Sequence, residues 1–163
     1  MHSFYLDASG LAKRYAPELG TPLINHLFAN AAPSRFWVFN VGMGEVASLL
    51  VRKRNAGTIS TAMLNQAIID LGAEIVRAPS VQRITASDIL VEASLSLIQA
   101  HSINATDAII LRSALETVAN LRPAGDDLVL VASDLRLLRA AQAEGLKTFN
   151  PETQSLAELN ALI

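Results

Sequence analysis

The 163-residue chain contains no cysteine. Disulfide cross-links and thiolate metal sites are therefore excluded, and the absence suits a cytoplasmic protein. No stretch of about eighteen apolar residues runs free of charged or strongly polar side chains, which argues against a membrane-spanning helix. The opening residues Met1 to Asp7 lack a basic segment and reach a carboxylate too early for a signal peptide. There is no excess of positive charge either. A net charge of −2 is not that of a tight, non-specific nucleic-acid binder, so any such contact must come from a local patch or be brief. Low-complexity tracts, internal repeats and linkers are also missing.

Apolar residues make up 51% of the chain and charged residues 17%, enough for a substantial interior. With a mean hydropathy of +0.33, this excess fits a sheet buried on both faces, with some left over for a dimer or partner surface. The length favours one domain spanning residues 1–163. Residues 3–6 read as a strand ending at Asp7, followed by helices from about Ser9 and from Thr21. Residues 35–39 form an apolar and aromatic strand, after which Asn40 is placed to cap a helix carrying Glu45 and stopping near Gly57. Ser60 caps the next helix, which closes near Gly72, and residues 74–77 read as a short strand. Helices follow from about Ser87 and from Thr106–Asp107. Residues 127–132 are a buried strand, a helix runs from Asp134 to Glu144, and residues 147–149 form a last strand. The alternation predicts a three-layer α/β/α sandwich around a mostly parallel sheet of about five strands.

Ligands of open α/β sheets bind beyond the carboxyl ends of the strands. Asp7 and Asp134 follow strands there, and Glu45 and Asp107 lie near helix N-termini. Singly, each acid has a plain explanation as a cap, a turn or a favourable charge at a helix start. Together they can reach one end of one sheet. At about 5 Å and an effective dielectric near 20, each like-charge pair repels by roughly 3 kcal/mol. Such a cluster persists by protonation or by binding a hard divalent cation. All-oxygen ligation suits Mg²⁺ or Mn²⁺, whose chemistry on phosphate oxygens is phosphodiester hydrolysis. Basic residues recur downstream of the acids, at Lys13, Arg14, 52–54, Arg112, Arg136 and Arg139. They read either as a phosphate-gripping rim, with Arg52 two helical turns after Glu45, or as solvated helix surface. His2, His26 and His101 lack partners at ligand spacing, and Trp37 lies within an apolar strand.

The blocks Tyr5-Leu6-Asp7-Ala8-Ser9, Gly44-Glu45-Val46-Ala47-Ser48-Leu49, Ala105-Thr106-Asp107-Ala108-Ile109-Ile110-Leu111 and Val131-Ala132-Ser133-Asp134-Leu135 resemble the PIN-domain family. The subgroup with the strongest resemblance is the VapC-type toxins of bacterial toxin–antitoxin pairs. The likeness spans nearly the whole chain, in order and with suitable spacing. It implies a Mg²⁺- or Mn²⁺-dependent endoribonuclease with Asp7, Glu45 and Asp107 as core acids and Asp134 as the fourth. Ser9 and Ser133 match hydroxyl positions supporting the acids or the scissile phosphate. A homodimer, with an antitoxin protein covering the acidic pocket, is implied as well. The amphipathic run 58–71 suits such a partner surface or simple packing on the sheet. The glycine-rich segment Val41-Gly42-Met43-Gly44 departs from the family pattern, where a firmer helix start is expected.

Two other classes stand against this reading. Phosphotransfer domains of the receiver or haloacid-dehalogenase type also put an Asp after the first strand, but Ser9 stands where the latter needs a second acid. A non-catalytic RNA- or protein-binding module is disfavoured because all four acids are present. A housekeeping RNA-processing nuclease would keep the chemistry and change the biology.

Overall fold

The computed structural model describes all residues, Met1–Ile163. Five strands, β1 (His2–Leu6), β2 (Phe36–Phe39), β3 (Gln82–Ile84), β4 (Asp127–Val131) and β5 (Lys147–Phe149), form one sheet in the order β3-β2-β1-β4-β5. Every pairing is parallel, with Leu6 beside both Val38 and Val131. All carboxyl ends therefore share one edge. The helices are α1 (Ala8–Leu11), α2 (Thr21–Asn30), α3 (Asn40–Asn55), α4 (Thr61–Leu71), α5 (Asp88–His101), α6 (Ala105–Leu121), α7 (Leu135–Ala143) and α8 (Leu156–Asn160). None is long and apolar enough to cross a membrane.

Alternate residues of the central strands feed two cores, because side chains on a strand point to opposite faces. Phe4, Leu6, Val129 and Val131 pack against α1 to α4 and α8, on residues such as Ile24, Val46, Leu50 and Leu64. Tyr5, Leu128 and Leu130 pack against α5 to α7, on residues such as Leu97, Leu111 and Leu137. The Tyr5 hydroxyl is buried there and shares a hydrogen bond with Ser113. This two-faced burial is where the chain's high hydropathy goes. On α4, Leu64, Ala67 and Leu71 are buried, while Met63, Ile68 and Ile69 stay exposed.

The structure corrects two local expectations. Residues 74–77 are not a strand; α4 continues into a wider π turn, Gly72–Val76. Ile75 is buried there, and Arg83 donates to the carbonyls of Ile75, Val76 and Ala78 at 3.3, 3.1 and 2.9 Å. Those carbonyls would otherwise be the unpaired end of a helix, so a distant guanidinium lets two β-branched residues remain helical. The third strand is β3 instead, directly after this turn. Asn40 is also not a cap: it is the first residue of α3, Phe39 holds the cap position, and the Asn40 amide donates to Thr85 Oγ1 at 2.9 Å.

Candidate functional site

Asp7 leaves β1 at the carboxyl edge and caps α1, accepting from the Ser9 amide at 2.9 Å and from Ser9 Oγ. The same Ser9 Oγ accepts from the Ser133 amide at 2.9 Å, while the Asp7 amide donates to Val131 O at 3.0 Å. The ends of β1 and β4 are thus sewn together through one hydroxyl. Gly10 makes this possible: a Cβ there would lie 2.8 Å from Val131 O, so any side chain would push α1 off the sheet edge. Asp134, just beyond β4, caps α7 by accepting from the amides of Arg136 and Leu137 at 2.8 and 3.2 Å. Asp107 lies in the first turn of α6, where the cap residue Asn104 accepts from its amide and donates to its Oδ2, at 2.9 and 2.8 Å. Glu45 sits in the second turn of α3.

These four carboxylates line one cleft of about 310 Å³, together with Ser9, Ser48 and Arg52. Asp7 is only 6% exposed. Burial pushes its carboxyl above the usual range, against the pull of the Ser9 hydrogen bonds, and the Asp134 charge adds to the rise. Glu45 is raised by burial and by Asp7, with Arg52 opposing. Asp107 is pushed up to about 6 by burial and then by Asp134, Asp7 and Glu45, with Arg136 opposing. Mutual repulsion inside a partly dry cleft is the common cause. No three of these acids stand close enough together to ligate one ion as a closed set. Ser133 Oγ is buried beside them with no hydrogen-bond partner.

The basic residues divide differently from a uniform rim. Lys13 is 2% exposed and lies 2.5 Å from Glu152 and 3.4 Å from Glu18, and Glu18 also holds Lys53 at 2.5 Å. Arg14 pairs with Glu74 and Arg112 with Glu116. Lys13, Lys53, Glu18 and Glu152 border a second cavity of about 400 Å³ that shares Ser9, Leu49, Arg52 and Asp134 with the acid cleft. Sequence reasoning missed this network, since Glu152 is 139 positions from Lys13 and has no local signal. It also missed Asn104, which a cap three residues before Asp107 would have revealed.

Several solved structures match the chain across nearly its full length. VapC20 of Mycobacterium tuberculosis, described as a toxin that cleaves the sarcin–ricin loop, is 19% identical over 94% of this chain and 100% of that one, with a TM-score of 0.62. The fold is the PIN-domain fold. A chain of FitAcB from Neisseria gonorrhoeae shares it at 16% identity over 93% and 99% of the two chains, with a TM-score of 0.56. So does a chain of a toxin–antitoxin complex from Klebsiella pneumoniae, at 16% identity, 91% and 98% coverage and a TM-score of 0.55. No family profile and no curated relative matches the chain by sequence. At such identities the PIN likeness carries the architecture, and the chemistry rests on the cleft.

Proposed function

We propose that this protein is a Mg²⁺- or Mn²⁺-dependent endoribonuclease and the toxin of a toxin–antitoxin pair. One observation carries the reading: four carboxylates from four separate segments share a partly buried cleft, and none is ion-paired within the protein. Capping accounts for Asp7 and Asp134 one at a time, but fold stability gives no reason to gather four acids in one cleft. An all-oxygen anionic donor set with an unpartnered serine hydroxyl fits a hard cation. Since the acids form no closed set, the fit is to an ion that keeps several of its own waters, as Mg²⁺ does.

Asp7, Glu45 and Asp107 would hold this ion in part through its own waters, and Asp134 would complete its surroundings through water or hold a second one. When bound, such an ion supplies the Lewis acidity that activates water and neutralises a departing 3′ oxygen. The chain's own residues set the geometry. Ser9 locks Asp7, Asn104 orients Asp107 and the α7 amides fix Asp134, which leaves each acid little freedom to collapse onto another cation. Arg52 lines the same cleft and would grip the phosphate. Attack by water does not involve the RNA 2′-hydroxyl, so products should carry 5′-phosphates.

The description of VapC20 supports RNA as substrate, and the Klebsiella complex supports a protein antitoxin as partner. The exposed Met63, Ile68 and Ile69 of α4 offer apolar surface for that partner or for a second copy in a homodimer. The lack of a closed trio of acids is what favours the second reading, a PIN-fold module that binds without cutting.

Cleavage of end-labelled single-stranded RNA separates the two. Cutting that requires Mg²⁺ or Mn²⁺, stops with chelator and disappears in Asp7→Asn and Asp107→Asn supports the nuclease. Cutting that survives chelation or both substitutions overturns it, and binding without cleavage at any metal concentration favours the module.

A further inference from the structure

Cations of this protein fall into groups by what holds them. Lys13, Arg14, Lys53, Arg112, Arg122 and Lys147 pair with carboxylates. Arg35 and Arg83 are held by backbone carbonyls. Among the remaining arginines, Arg52, Arg136 and Arg139 all line cavities at or beside the acid cleft.

Arg136 and Arg139 wall a cavity of about 300 Å³ with His101, Ser102 and Ala140, where the end of α5 meets α7. Arg136 lies close enough to the acids to pull the Asp107 carboxyl down. It also follows Asp134 by two residues, and α5 and α7 pack on the sheet face opposite α1 to α4, so this cavity lies on the side away from Lys13. Arg139 Nε donates to Leu135 O at 3.2 Å, which fixes the guanidinium and leaves its other N–H groups free. His101 is held by Glu144 at 2.7 Å, and no carboxylate lines this cavity. Ser102 is the only non-glycine residue at positive φ, 52°. Glycine takes that conformation at lower cost, yet a hydroxyl is kept where it lines the cavity.

The two flanks of the cleft are therefore unequal. On one, two lysines are matched by Glu18 and Glu152. On the other, two arginines have no carboxylate. We propose that the cavity of His101, Ser102, Arg136 and Arg139 is a subsite for the RNA phosphate neighbouring the scissile one, so that the strand is gripped on the α5–α7 flank. Planar guanidinium groups present paired N–H donors that match phosphate oxygens, and the serine hydroxyl adds a second type of donor. This subsite rests on the nuclease reading.

The test uses Asp7→Asn protein, full length and with Mg²⁺, titrated against a labelled single-stranded RNA of about twelve nucleotides and followed by anisotropy. In that background, Arg136→Ala with Arg139→Ala should weaken binding roughly tenfold, and the slope of log affinity against log salt should shrink by about 0.7 to 1.4. Arg122→Ala removes the same kind of charge at the opposite edge of the sheet, beside Asp127, and should change neither. Both arginines of the subsite are exposed, and unchanged thermal unfolding checks that the double variant folds. Weakening by Arg52→Ala but not by the double variant overturns the subsite and leaves the nuclease standing. Weakening by Arg122→Ala as great as by the double variant reduces the effect to net charge and also overturns it. Absence of RNA binding overturns it too, and cleavage by the native protein then tells whether the nuclease reading falls with it.

Discussion

Two charged clusters lie side by side at the carboxyl edge of the sheet, sharing Ser9, Leu49, Arg52 and Asp134 along their border. In one, Lys13 and Lys53 alternate with Glu18 and Glu152, and every charge has an opposite neighbour. In the other, four carboxylates face each other and only Arg52 and Arg136 lean against them from the side. The first cluster is a fastening. It ties the turn after α1, α3, the loop before α2 and the turn after β5, and Gly20 lets that last turn come close, since a Cβ there would lie 2.7 Å from Pro151 O. In the second, Asp7 and Asp134 cap helices, but no acid is ion-paired and each raises the proton affinity of its neighbours. Neighbouring clusters of similar size thus divide into one whose charges are paired within the fold and one whose charges are left facing a cavity.

The largest expected effect breaks the fastening. Lys13→Met should cost about 3 kcal/mol in urea unfolding, because Glu18 and Glu152 lose a buried partner; their own contact with water keeps the loss below the upper end for ion pairs. An unchanged midpoint would show that the network is ornamental and the contrast false. Asp7→Asn should act in the opposite sense. Asparagine still caps α1, and relieving the repulsion should leave the metal-free protein more stable by about 1–2 kcal/mol. It should also erase the metal response, which in the native protein should reach about 2.7 kcal/mol at a hundredfold excess of Mn²⁺ over its Kd. Equal metal shifts in both proteins would place the ion elsewhere.

A smaller effect follows from pH. A carboxyl whose folded-state pKa exceeds its unfolded value favours folding while protonated. The contribution of Asp107 is therefore fully present below about 4 and fades as pH rises through about 6. Metal-free stability should decline by about 1–2 kcal/mol between pH 4 and 7 from this cleft, and Asp107→Asn should flatten the decline. A native profile that rises over this window would mean that the acids are compensated by cations after all. The smallest effect sharpens the boundary of the site. Gly44 precedes Glu45 in α3, and a Cβ there would meet nothing within 4 Å. Gly44→Ala should add about 0.5–1 kcal/mol with the metal response intact. A lost response would mean that local freedom at Gly44 helps Glu45 reach the ion.

Much of this was legible in the order of residues, because periodicity and punctuation are local. Apolar runs ending in Asp7 and shortly before Asp134, and helix starts near Glu45 and Asp107, put four acids at one sheet edge before any coordinates. Ser60 caps α4 as its chemistry requires, whereas Gly72 keeps right-handed helical dihedrals and the chain continues through it into the π turn. The segment 74–77 misled because Ile75 and Val76 favour strands, while the partner that holds them helical, Arg83, comes later in the chain. Lys13 misled for the same reason: a lysine after a helix start looks solvated until Glu152 arrives from 139 positions away.

By itself the sequence determined the parallel α/β frame and the acids gathered at one edge of its sheet. These follow from backbone periodicity, from capping and from the missing cysteines, which act within a few residues. Only the tertiary structure decided which charges are neutralised and which are left facing a cavity. Charge interactions act through space and depend on burial, so residues far apart in the chain divided the cations into fastenings and free hands.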